Sequence, residues 1–424
     1  MTRRIERRRG RGEAGMALVL TLSLLALLVI AVYGLSAVVR VHGNVSETAG
    51  AQLRARQHAL LGLSIALGQL QGRAGEDARV TAMAGVAGAA VGSDRRHWCG
   101  VWRSDGAFLG WLVSGAAEQP SPQLNAAVAS IKLIASGSVG ATSADSEHVI
   151  AGRIPLQVPE TPATPGTRAT IGAYAYLVLD EGVKVSAFVP PGLEPAGIVT
   201  PRIAVVSSNA AQAKLRAALE TQATALPRVL LYEQLSLLPS PAAPLTPSVL
   251  QDNFHHVTLT ATTVADEQLT AGRVNLNTTS AHVWRSVFEA YNAVPGVEPL
   301  TADEIVAGAS GIAHGLAASA SGKTAQAPYA SVAAFETSAL LVANLPPRVG
   351  AAEFVAAIGP MLGVRSDTFR IRAYGDVVDP LAPATVKATA SCEAVVQRTT
   401  EAAAGGAGRR FRMLFFRWLG PEDV

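Results

Sequence analysis

Only two cysteines, Cys99 and Cys392, occur in the 424 residues, too few for a disulfide framework. Two readings of them stay open: one bond linking the early head to the last strands in an oxidising compartment, or two small buried residues. Metal-ligand spacings are absent: there is no His-Glu-x-x-His, no Cys-x-x-Cys and no paired Cys/His set. The eight histidines are scattered, and the one close pair, His255-His256, would point to opposite faces of a strand. Gly-x-Ser-x-Gly is missing as well, which removes the usual hydrolase nucleophile turn. These absences argue against an enzyme, a metal centre and a cofactor. The nearest approach to a nucleotide motif is Ala317–Thr324 (AASASGKT). It lacks the first glycine of a P-loop and follows no apolar strand, so it reads as a loop between two helices. Asp180 and Glu181 fall in a turn-like stretch and read as solvated rather than as a catalytic pair.

Charge is scarce, at 16% of residues against a usual quarter. The net charge of +3 is concentrated at the start. Residues 1–15 carry Arg3, Arg4, Arg7, Arg8, Arg9 and Arg11 against Glu6 and Glu13, which leaves 29 basic and 30 acidic residues in the remainder. No basic stripe is left to hold nucleic acid.

What the chain does have is a long apolar run, Met16–Val39 (MALVLTLSLLALLVIAVYGLSAVV), without a charge. As one helix it spans about 36 Å, enough to cross a hydrocarbon core of about 30 Å with some tilt. Its few polar atoms belong to Thr21, Ser23, Tyr33 and Ser36, and a serine or threonine hydroxyl can return to the helix's own carbonyls. The run is too long for a cleaved secretory signal, and no small-residue cleavage site follows it. The small residue, Gly15, precedes it instead. The arginines before the span would keep the amino terminus cytoplasmic. Basic leader, glycine, then a retained apolar helix is an order that resembles the type IV prepilin signal. That resemblance implies cutting between Gly15 and Met16 by a prepilin peptidase and methylation of the new amino terminus. A plain signal anchor that is never cut is the other reading of the same leader.

The helix is expected to continue past the membrane. No proline occurs between Arg40 and Gln71, and Leu53, Leu60, Leu63, Leu67 and Leu70 form one apolar stripe. Beyond it, His97–Gly115 predicts two strands around Ser104-Asp105-Gly106, with Trp98, Trp102 and Trp111 in a core rather than on a sugar platform. Ala173–Leu179 and Val183–Val189 predict a second hairpin around Asp180-Glu181-Gly182. Proline-rich stretches at 155–165, 190–201 and 238–247 read as loops or edge segments. From Val274 the pattern becomes helical: Ala281–Asn292 capped by Thr278 or Ser280, a capping box at Thr301–Glu304, a helix at Val332–Val342 opened by Ser331, and Phe354–Leu362. Strands return at Thr368–Tyr374, Thr385–Gln397 and Arg409–Leu419.

The expected architecture is α+β: a leader at 1–15, a transmembrane and stem helix at 16–72, a head at 73–273, a helical insertion at 274–365 and completing strands at 366–424. Four segments resemble the minor pseudopilin K family of type II secretion: VNLNTTSAHVW from Val274, YASVAAFE from Tyr329, SDTFRIRAYGD from Ser366 and AYAYLVLDEGVKVSA from Ala173. The Trp98 region, FHHVTLTATTVAD, CEAVVQR and the terminal FFRWL are also similar to the Verru_Chthon cassette protein A family.

The pseudopilin resemblance implies a structural subunit of a secretion or pilus-like fibre. Its head would be periplasmic on an inner-membrane helix, and its partners would be other pilin-like subunits, inner-membrane assembly proteins, the lipid bilayer and the peptidase. Major pilins carry glutamate at the fifth mature position, where this chain has Leu20; K-type members lack it too, which implies an initiating or tip subunit. K-family members can bind calcium, but no oxygen-ligand run maps onto this chain. Ala26, Ala31 and Gly34 are small residues that would let sister helices approach. The alternatives are a signal-anchored periplasmic binding or adhesion protein outside any fibre, and an anchored hydrolase, which would need a deep polar pocket.

Overall fold

The computed structural model describes residues 12–88, 91–135, 148–158, 169–187, 232–237, 246–259, 261–265, 268–317, 328–379 and 382–420. The chain divides into two compact units, Met1–Arg54 and Ala55–Val424. One helix, α1 (Gly12–Ala74), contributes to both. In the first unit every residue from 16 to 49 is exposed. α1 is the one helix among the described residues long and apolar enough to cross a membrane.

The second unit is α+β. Its main sheet has six antiparallel strands in the order β15-β14-β13-β6-β5-β4. These are β4 (Ala129–Ile134), β5 (Val149–Gln157), β6 (Thr170–Asp180), β13 (Thr368–Asp379), β14 (Ala382–Ala402) and β15 (Arg409–Leu419). Alternation along β13 decides which side each residue serves. Phe369, Ile371 and Ala373 face a core shared with α1, while Arg370 and Arg372 face the opposite side.

The stem packs through alanine more than leucine. Ala55, Ala59, Leu63, Ala66, Leu70 and Ala74 are its buried apolar side chains in this unit, three or four apart. Of the expected stripe, Leu63 and Leu70 are buried, but Leu60 is 40% exposed and Leu53, in the first unit, 59%. The reason lies on the sheet. A Cβ at Gly375 of β13 would come within 2.3 Å of Ala59 N and 2.4 Å of Ala55 O, so the helix backbone rests directly on the strand. Only small residues fit such an approach. Arg398 closes the helix end: its Nε and Nη2 donate to Gly75 O at 3.0 and 2.7 Å, a cation where the helix carbonyls end.

A three-stranded sheet, β1 (Arg79–Met83), β2 (Cys99–Arg103) and β3 (Phe108–Trp111), carries the expected tryptophans. Trp98, Trp102 and Trp111 are buried, which makes them core. The turn between β2 and β3 is the expected one: Gly106 has φ +87° and Asp105 Oδ1 accepts from Ala107 N at 3.0 Å.

The second expected hairpin does not form. β6 pairs with β13 and β5, and the chain leaves the sheet after Asp180. β7 (Val185–Ser186) pairs in parallel with β8 (Val257–Thr258). Asp180-Glu181-Gly182 turns inward because its polar groups are bonded there: Gly182 N donates to Asp180 Oδ1 at 2.8 Å and Glu181 N to Thr368 O at 3.0 Å. Among the proline-rich stretches, Pro155 lies in β5 opposite Ala173, beyond the part of β5 that β4 covers. Most of the other two lies outside the described residues, as does the P-loop-like stretch after Ala317.

The hairpin β9 (Thr262–Ala265) and β10 (Gln268–Ala271) leads into the helical excursion. Parallel pairing of β11 (Val274–Asn275) with β12 (Leu362–Gly363) closes the neck of that excursion. Inside it lie α-helices at Ala281–Asn292, Ala302–Ala317, Val332–Glu336, Ala339–Ala343 and Ala351–Ile358. The caps follow the sequence: Ser280 accepts from Val283 N, Ser331 from Ala334 N, and Thr301 and Glu304 bond reciprocally. The helix expected over Val332–Val342 breaks at Thr337, and Ser338 recaps it by accepting from Leu341 N.

Candidate functional site

In the first unit, side chains of leucine, valine and isoleucine cover the helix from Met16 to Val45 and are all more than half exposed. Their polar neighbours bond within the helix: Thr21 Oγ1 donates to Leu18 O and Ser23 Oγ to Leu20 O, both at 2.9 Å. The expected packing positions Leu20, Ala26, Ala31 and Gly34 lie on this exposed surface, and a Cβ at Gly34 would meet nothing within 4 Å. The Gly15–Met16 bond lies within the first turns of α1. Isolated in water such a surface is costly; it is chemically suited to lipid tails or to the apolar helices of other chains.

The second unit holds a buried ionic ladder on its main sheet. Strand register puts Arg372, Glu393 and Arg417 side by side across β13, β14 and β15. Glu393 accepts from Arg370 Nη1 at 2.8 Å, Arg372 Nε at 3.0 Å and Arg417 Nη2 at 3.0 Å. Burial pushes its carboxyl up, but the three guanidiniums outweigh that and hold it near 2. Glu181, read as a solvated turn residue, is 1% exposed. It accepts from Lys184 Nζ at 2.7 Å and Thr258 Oγ1 at 2.5 Å, with Arg370 Nε at 3.3 Å. The Phe254 ring carries Lys184 at 4.5 Å, Arg370 at 5.4 Å and Arg372 at 5.5 Å over its centroid. Asp180 is 3% exposed, and burial raises its carboxyl to about 6 against the bonds it accepts from Ser366, Thr81 and Gly182.

The VNLNTTS segment proves to be a junction. Asn275 Nδ2 donates to Thr81 O, Thr81 Oγ1 and Ser366 Oγ at 2.8–3.1 Å. Asn277 exchanges two bonds with the Tyr329 backbone, at 2.8 and 3.0 Å, and Trp284 Nε1 donates to Thr278 O at 2.9 Å. Asn275 thus joins the segment to β1 and Ser366, and Asn277 joins it to Tyr329.

Both thiols are shut away from solvent. Cys99 and Cys392 are free and buried in one apolar cluster. Burial pushes the Cys99 thiol well up and that of Cys392 to about 12, so neither is a thiolate near neutral pH. A cavity of about 310 Å³ between β1, β9 and β12 is lined by Asp77, Arg79, Arg273 and Arg365 among others, with no histidine, cysteine or lysine in its wall. Its guanidiniums tie the fold together: Arg365 to Asp367, Arg273 to Leu362 O and Arg79 to Glu76. No group of three metal-ligating side chains occurs among the described residues.

Four of the eight histidines do not stay scattered. His97 and His255 stack, and His256 meets His282. His255 and His256 lie in the turn before β8 rather than in a strand, and each finds another histidine, which no local spacing reveals.

No protein-family model and no curated protein matches the chain. A solved structure, the crystal structure of the GspK-GspI-GspJ complex from the type 2 secretion system of enterotoxigenic Escherichia coli, is similar at a TM-score of 0.33 and 13% identity, over 63% of this chain and 83% of that one.

Proposed function

We propose that the chain is a non-catalytic, pilin-like structural subunit held in a membrane by Met16–Val39. The observation that carries this is the wholly exposed apolar face of α1 followed by a helix-on-sheet head. Charge-free and internally hydrogen-bonded, the segment can rest in the bilayer and then pack against like helices through Ala26, Ala31 and Gly34. The arginines before it place the amino terminus in the cytoplasm and the head outside, in the periplasm. A prepilin peptidase cuts after Gly15 and methylates Met16. Leu20 supplies no carboxylate to a neighbouring amino terminus, which suits an initiating or tip position in a secretion or pilus-like fibre.

The test is the amino-terminal mass of the membrane-extracted protein, with and without an active prepilin peptidase. A peptide beginning at N-methylated Met16, lost without the peptidase, is the expected result. An intact Met1 leader in both samples overturns this reading and leaves a signal-anchored periplasmic protein.

A further inference from the structure

Four of the chain's eight histidines meet at the start of the helical excursion: His97 in the turn before β2, His255 and His256 in the turn before β8, and His282 in the excursion's first helix. The rings of His97 and His255 stack 3.7 Å apart at 12°, and both are buried. His256 lies 4.6 Å from His282 by ring centroid, and its Nδ1 shares a 2.8 Å hydrogen bond with Ser280 Oγ. Ser280 is the cap of the Ala281–Asn292 helix and His282 is in its first turn, where the helix dipole disfavours a cation.

The surrounding groups disfavour one as well. His282, His97 and Lys184 are the groups that act on His256. Phe254, which carries Lys184, Arg370 and Arg372 on its face, also sets a ring edge against His255 at 5.3 Å. Glu181, the acid nearest Lys184, is already held by Lys184, Thr258 and Arg370.

We propose that His97, His255, His256 and His282 form an acid-sensitive latch, which holds the first helix of the excursion against the turns before β2 and β8 while neutral and releases it when protonated. Burial first, and then the neighbouring bases, keeps His256 well below its usual 6.5. A released ring titrates near 6.5. Above that pH both forms are neutral and the latch is at full strength. As pH falls below it, the open form takes up a proton that the closed form refuses, and the closed form loses about tenfold in population per pH unit per proton. Asp180 acts with the opposite sign, gaining stability as pH falls, so its titration cannot imitate this effect. The latch is independent of whether the chain enters a fibre.

The experiment is hydrogen exchange of the full chain in detergent micelles at pH 7 and pH 5, corrected for the intrinsic pH dependence of exchange. Amides of 281–292 should lose at least tenfold in protection relative to those of β13 at pH 5. His256→Asn combined with His282→Gln should remove that loss. Protection of 281–292 that is independent of pH in the natural chain, or an equal loss in the double variant, overturns the proposal. Should the double variant not fold, histidine-ring NMR of the unaltered chain decides. The latch requires a ring titrating below pH 6, and rings that all titrate at or above 6.5 overturn it.

Discussion

At the scale of single residues, the most consequential choice is to bury charge in a head poor in charge. Glu393 is answered by three arginines, so the desolvation of the ladder is compensated by bonds that strand register fixes. Strand alternation makes it legible that Arg370 and Arg372 share a face of TFRIRAY. That this face is dry was not legible, because Phe254 and Glu233 reach it from segments more than a hundred residues away. Asp180 is the exception, a buried carboxyl held up to about 6 by desolvation. Its folded value lies above its unfolded 3.8, so the stabilising proton is fully bound below pH 3.8 and lost as pH rises through about 6. Asp180→Asn keeps an acceptor for Gly182 N and carries no charge. We expect it to raise stability at pH 7.5 by up to about 3 kcal/mol and to flatten the pH dependence between 4 and 6. Urea denaturation of the two proteins at pH 4 and pH 7.5 checks this; an unchanged or lowered midpoint at pH 7.5 contradicts it.

At the scale of elements, what the sequence could announce was local. Ser280, Ser331 and the Thr301–Glu304 box bond to backbone within three residues, so their spacing alone names the helix starts. The hairpin expected after AYAYLVL failed for the converse reason. β6 has a partner, β13, that lies almost two hundred residues on, and no turn signal reports it. The stem helix shows the same limit: period identified the helix, but Gly375 on a remote strand decided that alanine would face the sheet. Gly375→Ala should therefore cost about 3 kcal/mol or more, because the new methyl meets main chain that cannot give way. Gly68→Ala on the open side of the same helix should instead stabilise by about 0.5–1 kcal/mol. Thermal melts of both in the same detergent check the pair. Equal effects would mean that the stem is not seated on β13.

At the scale of the whole molecule, the exposed apolar helix and the packed head make opposite demands on solvent. Val29 lies mid-run and is 53% exposed. Val29→Arg should add roughly 2.5–3.5 kcal/mol to the cost of insertion and move protein out of the alkaline-resistant membrane fraction. Leu237→Arg, at a surface position 78% exposed in the second unit, should leave that fraction unchanged. Equal retention of both would count against Met16–Val39 as the anchor. The sequence by itself determined the apolar helix, the capped excursion and the α+β class, because hydropathy, periodicity and capping act over a few residues at a time. Only the tertiary structure decided that the turn acids are buried, that four histidines share one junction and that the cysteines lie free in one cluster. Those outcomes depend on which remote surfaces meet, and burial, not residue type, sets the cost of a charge and the proton affinity of a ring.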